Sequence, residues 1–190
     1  MSLIKLLVLI LSFMATSARA EVTEQFSISH YTIDLVSGKS LLSQFNAAST
    51  IRKDGRVYHG YTRWTVKWFF RWNTDALGVC RIVSASTQLD VEMILPYPRG
   101  ASSSQSGIVT AYGRALRAHE QGHYDIARQA AHEIDLSLLG MPGMADCKTL
   151  EQSANSKANE TFVHFKEASR QYDRDTQYGK TQGAVLEGGL

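Results

Sequence analysis

The feature that most restricts the fold is a stripe of residues in the second half of the chain. Ile108, Tyr112, Leu116, His119, His123, Ile126, Ala130, Ile134 and Leu138 recur at steps of three or four. Such spacing puts them on one face of a single long α-helix. Gly140 and Pro142 end it, the glycine as a C-terminal cap and the proline because it cannot continue a helix. A stripe of that length has to be covered by other elements.

The flanking sequence supplies them. A second helix is expected from about Lys148 to Tyr172, with Leu150, Ala154, Phe162, Phe165 and Ala168 turned inward. Phe26 to Leu35 alternates loosely between apolar and polar residues, as a half-buried strand does. Lys39 to Ala48 reads as a short helix with Leu41, Leu42 and Phe45 on one side. Arg56 to Trp72 and Cys80 to Leu95 are dense in β-branched and aromatic residues, which favours strands of an antiparallel sheet. Trp64, Trp68 and Trp72 then serve sheet packing. Pro96 and Pro98 are expected to close the last strand, Gly100 to Gly107 to form a serine-rich loop, and the tail from Gly179 to Leu190 to be irregular. The result is an α+β fold, a strand-rich N-terminal half packed on an antiparallel pair of long C-terminal helices.

The first twenty residues read as an export signal. Lys5 gives a short positive region, Leu6 to Met14 an apolar run, and Ala18-Arg19-Ala20 the small-x-small cleavage pattern. The mature chain would begin at Glu21 in a secreted or periplasmic compartment, with residues 21–190 forming one domain. No later apolar stretch is long enough to span a bilayer, so no stable membrane insertion is expected after cleavage. Setting aside Lys5 and Arg19 leaves 18 basic residues against 18 acidic ones. Nucleic acid and anionic membranes select basic patches, and neither is expected as a partner. Cys80 and Cys147 are an even pair in a chain bound for an oxidising compartment, which predicts a disulfide.

The chemistry sits on the long helix. His119-Glu120-Gln121-Gly122-His123 matches H-E-x-x-H, and residues i and i+4 lie on one helical face, so two imidazoles converge on one ion. Catalytic zinc takes such ligands and keeps a position open for water. Glu120 lies close enough to that position to act as general base. Gly122 costs about 1 kcal/mol against alanine inside a helix, which calls for a compensating neighbour such as a second backbone or substrate. His132 falls off the stripe and reads as surface, and His30 and His59 carry no spacing signal.

A third ligand is needed, because two histidines rarely hold a catalytic zinc. The metzincin pattern would place a histidine at position 129, where this chain has Gln129. The ligand must therefore come from beyond Pro142, where Glu160, His164, Glu167, Asp173 and Asp175 are the candidates.

The stretch Tyr172-Asp173-Arg174-Asp175-Thr176-Gln177-Tyr178-Gly179, with the Ala-His-Glu-x-x-His helix, the aromatic strands before Cys80 and Cys147 after the helix break, resembles the bacterial predicted secreted zinc-dependent proteases, domain of unknown function 922. The tail pattern of that family is Tyr-Asp-x-x-Thr-x-His-Gly, so the resemblance implies Asp173 as third ligand and an exported metallopeptidase. This chain has Tyr178 in place of the histidine. Asp175 to Gly179 is also similar to the Asp-x-x-Tyr-Gly of the aspzincin metallopeptidases, which pair an aspartate ligand with a nearby tyrosine and keep Asp175 in contention. A tyrosine at position 178 can donate a hydrogen bond to the oxyanion.

The expectation is a zinc-dependent hydrolase acting on a peptide or protein. His119, His123 and Asp173 would hold the metal, Glu120 would act as base and Tyr178 as stabiliser. The alternative is a non-catalytic exported module that binds metal or a cell-envelope partner. Glu120 speaks against it, since pure metal binding needs no base.

Overall fold

The computed structural model describes residues 19–53 and 55–186. The expected export signal therefore lies outside the described residues, apart from Arg19 and Ala20, which open the first strand. The architecture is α+β. In chain order come β1 (Arg19–Asp34), α1 (Leu41–Ala48), β2 (Ile51–Lys53), β3 (Arg56–Tyr58), β4 (Tyr61–Thr74), β5 (Cys80–Arg99), α2 (Ser103–Leu139) and α3 (Cys147–Asp175). One three-stranded sheet has the order β1-β5-β4, and β2 pairs with β3 apart from it.

β4 and β5 run antiparallel, as their composition suggests, with a register shift at Arg71/Trp72. β1 departs from the expected antiparallel pattern and lies parallel to β5 over its whole length. A parallel neighbour cannot be joined by a tight turn. Here α1, the β2–β3 pair and all of β4 intervene between the two strands.

β5 also runs through Pro96 and Pro98 instead of ending there. The carbonyl of Arg99 accepts from the Leu35 N–H at 2.8 Å, on the β1 side. Alternate residues 96 and 98 therefore face the other way, where β4 has already ended opposite Ile94. A proline lacking its N–H forfeits no ladder bond on that open side.

The serine-rich loop is shorter than expected, because α2 starts at Ser103. Gln105 accepts from the Ser102 backbone N–H at 3.0 Å, one half of a capping box. The buried stripe of α2 follows the expected phase from Tyr112 to Leu138, with two local shifts. Val109 is buried instead of Ile108, which is 53 % exposed, and Ala127 takes the fully buried place beside Ile126. Alanines at 127, 130 and 131 on α2, and at 154 and 158 on α3, are all fully buried and let the backbones approach closely. α3 returns antiparallel along α2, started by Asp146, whose carboxylate accepts from the Thr149 N–H at 2.7 Å.

The core divides along α2. Near its start, Tyr31, Ile33, Phe45, Met93, Tyr112 and Leu116 pack together, joined by Ala184 and Leu186 from the tail. The tail thus packs into the core through Ala184 and Leu186; it holds a 3₁₀ turn at Lys180–Gln182 and is otherwise irregular as far as Leu186, while residues 187–190 lie outside the described residues. Near its end, Ile82, Ile134, Leu138 and Leu150 surround the Cys80–Cys147 disulfide, which ties the start of β5 to the start of α3. Between these lie Trp64, Leu89, Val91 and Phe165.

Candidate metal centre

The middle of α2 carries three buried polar residues on its inward face: His119 is 4 % exposed, Glu120 3 % and His123 7 %. The last turn of α3, running the other way, brings Asp173 against them. Its Oδ1 stands 3.3 Å from His119 Nε2 and 3.0 Å from His123 Nε2. One ligand atom from each of the three residues lies within 4.8 Å of the others. Donors about 2.0–2.1 Å from one tetrahedral zinc stand about 3.3 Å apart, so this set fits the ion.

The remaining imidazole nitrogens are already committed. His119 Nδ1 donates to Gln182 Oε1 at 2.9 Å, and His123 Nδ1 lies 2.8 Å from the Ser169 hydroxyl. The Gln182 oxygen can only accept, so it keeps a proton on His119 Nδ1, as ligation through Nε2 requires, and both bonds set the ring orientations. Burial disfavours the charged form of His119, but the hydrogen bond to Asp173 and the Glu120 carboxylate outweigh it and raise its pKa. Burial would also raise Asp173; the two imidazoles instead hold it far below the usual carboxylate range.

Glu120 points beside this cluster. Burial pushes its pKa up, against the pull of His123 and the Thr62 hydroxyl, which donates to Oε2 at 2.8 Å. Gly60 makes room for it, since a Cβ there would come within 2.7 Å of Glu120 Oε1. The neighbour that Gly122 requires is neither backbone nor substrate but the side chain of Tyr172. A Cβ at position 122 would overlap the Tyr172 hydroxyl. That ring stacks on His119 at 5.1 Å and meets His123 edge-on at 5.0 Å.

The other ligand candidates do not join the cluster. Glu160, His164, Glu167 and Asp175 are all exposed on α3. Glu167 pairs with Arg170 and Arg174, and Asp175 accepts from Gln171 at 2.6 Å.

A family model described as a bacterial protein of unknown function (DUF922) matches residues 28–180. The chain belongs to this family. No curated protein and no solved structure matches it. The DUF922 match takes in His119, Glu120, His123 and Asp173 and stops short of Gln182.

Beyond Asp173 the DUF922 tail turns sharply. Gln177, Tyr178 and Gly179 all have positive φ, and the turn carries the chain over the site. A Cβ on Gly179 would come within 3.0 Å of His119 Cγ, so only glycine lets the backbone pass so near. Tyr178 lies on the wall of the same cleft, 41 % exposed, and its hydroxyl accepts from Arg56 Nη1 at 3.2 Å. His59, which carried no sequence signal, lines the cleft too. Tyr112 stands 2.6 Å from its Nδ1 and Asn46 2.9 Å from its Nε2, while burial lowers its pKa to about 4. His132 is exposed, as its place off the stripe predicts.

The site also takes in Thr62, Ser169, Tyr172 and Gln182, none of which is among the candidate residues of the sequence. Two signals pointed to Tyr172: the mid-helix Gly122 that demanded a neighbour, and the tyrosine that opens the tail pattern. Ser169 and Gln182 had none, because their roles arise only when α3 and the tail close over α2.

Proposed function

We propose that this protein is an exported zinc-dependent hydrolase that cleaves peptide bonds. The observation that supports this reading is the convergence of His119 Nε2, His123 Nε2 and Asp173 Oδ1 beside a buried carboxylate on the wall of a cleft of about 1270 Å³. Zinc held by these three residues would supply a Lewis acid that brings the pKa of water towards about 7 and polarises the scissile carbonyl. Glu120 accepts the proton of the attacking water and returns it to the leaving nitrogen, and a raised pKa suits both tasks. Thr62 holds the carboxylate in place. Tyr178 faces the cleft from the opposite element and donates its hydroxyl proton to the developing oxyanion while Arg56 donates to that hydroxyl.

The charge of the cleft narrows the substrate. Lys53, Arg56, Lys166 and Lys180 line it, and among the described residues none has a carboxylate within ion-pair distance. Its two carboxylates, Glu120 and Asp173, belong to the site itself. Peptides with acidic side chains flanking the scissile bond are therefore preferred, an effect that added salt weakens.

The deciding experiment is metal analysis and peptide cleavage by the parent and by Glu120→Gln. The parent should carry about one zinc per chain. Glu120→Gln should keep the zinc and lose cleavage by about 10²- to 10⁴-fold. Zinc without cleavage in the parent would instead favour the non-catalytic metal-binding module.

A further inference from the structure

We propose that Asp135 is a receptor for the α-ammonium group of Glu21, created when a leader is removed between Ala20 and Glu21. Asp135 sits on the inward face of α2 and is 0 % exposed. A carboxylate buried to that degree needs donors or a counter-charge. It has two donors: the Thr87 hydroxyl donates to Oδ1, and the backbone N–H of Glu21 donates to Oδ2 at 3.2 Å. Both are neutral. The other ionisable group that bears on Asp135 among the described residues is His132, exposed on the same helix.

The donor residue is the one that the pattern Ala18-Arg19-Ala20 places directly after the cleavage point. The two observations are independent. One is a processing pattern in the sequence; the other is the position of a buried acid 114 residues away. Further contacts dock β1 on α2 beyond Glu21. Glu24 follows, accepting from Tyr124 and pairing with Arg128 at 3.2 Å, then Phe26, whose ring lies 4.8 Å from Tyr124. Ala20 is exposed.

The step is hydrolysis by a leader-removing peptidase of the export machinery. Water is consumed, the C–N bond between Ala20 and Glu21 breaks, Ala20 leaves with a carboxylate, and the Glu21 nitrogen becomes an amine that takes up a proton. That nitrogen already stands at hydrogen-bonding distance from Oδ2, so an ammonium replaces an amide without moving the strand. Charge-assisted bonds are roughly twice as strong as neutral ones. Cleavage thus turns a buried acid with neutral donors into an ion pair, and it fastens the first strand to the helix that carries His119 and His123.

The test needs neither zinc nor a peptide substrate, so its outcome is separate from that of the hydrolase reading. The full chain, exported from a bacterial host, should have the intact mass of a protein beginning at Glu21; a different first residue overturns the proposal. In the folded protein near neutral pH, the Glu21 α-amine should react with an acetylating reagent at least about tenfold more slowly than in Asp135→Asn, the equivalent of about one pKa unit. Equal rates overturn it. Should Asp135→Asn fail to fold, a protein that retains Arg19-Ala20 ahead of Glu21 serves instead. It keeps the acid but displaces the ammonium, so its melting midpoint should fall below that of the Glu21-initiated protein. An unchanged midpoint overturns the proposal.

Discussion

The two ends of the paired helices are built on different principles. At the Cys80–Cys147 end, Ile134, Leu138, Leu150 and Ala154 pack against Ile82 with almost nothing exposed, and a covalent bond closes the corner. At the other end the same two helices present His119, Glu120, His123 and Asp173, whose packing is polar and depends on Ser169 of α3 itself and on Thr62 and Gln182 from two further places in the chain. Apolar packing tolerates exchange if volume is kept; a polar cluster fails when one partner is lost. The first end can therefore supply stability without restricting the chemistry of the second.

Breaking the covalent corner should give the largest effect on folding and the least on the metal. Replacing Cys80 and Cys147 together by serine should cost about 4 kcal/mol on the chain-entropy account, read from urea unfolding. Zinc content of the protein that remains folded should be unchanged. A matching loss of zinc would mean that the two ends are not independent.

Tyr178→Phe acts only at the polar end. It removes a hydroxyl held by Arg56 and should lower turnover by about 10²- to 10³-fold, with zinc content and melting midpoint intact. A smaller loss would remove Tyr178 from the oxyanion role. Tighter control comes from Gln182→Ala, which frees His119 Nδ1. Zinc affinity should drop by about 10- to 100-fold in competition with a chelator, the usual cost of losing a bond to a ligating imidazole. Asp175→Ala, on the exposed face, should leave affinity where it was.

The smallest effect concerns pH. His59 is half-buried, and partial burial lowers its pKa to about 4 from an ordinary value near 6.5. The unfolded chain therefore binds the proton first, so this contribution is complete above about pH 6.5, is lost as pH falls from there towards about 4, and changes no further below that. His59→Gln should flatten that part of the urea midpoint against pH. An unaltered slope would place the acid sensitivity elsewhere.

Much of this was legible in the sequence, for identifiable reasons. The stripe from Tyr112 to Leu138, the H-E-x-x-H spacing and the cysteine pair each depend on local periodicity or on a count. The parallel placement of β1 and the passage of β5 through Pro96 and Pro98 were not legible. They depend on which neighbour a strand acquires and where that neighbour stops. Residue patterns narrowed the third ligand to five candidates; the family resemblance singled out Asp173, and only the arrival of α3 beside α2 gives that choice a geometric reason. Gln182 lay beyond reach because the tail had no periodicity to announce that it folds back.

One arrangement beside the site gives the protein its own optical signal. The Lys166 ammonium lies 3.5 Å from the centre of the Trp64 ring and donates to the Trp64 carbonyl at 2.9 Å, on the wall of the cleft. Trp68 and Trp72 lie on the far stretch of β4, outside that wall. A cation over an indole face alters its emission, so a ligand that draws Lys166 away changes the fluorescence of Trp64 alone. Occupancy of the cleft is thereby readable in unlabelled protein, in solution and in real time.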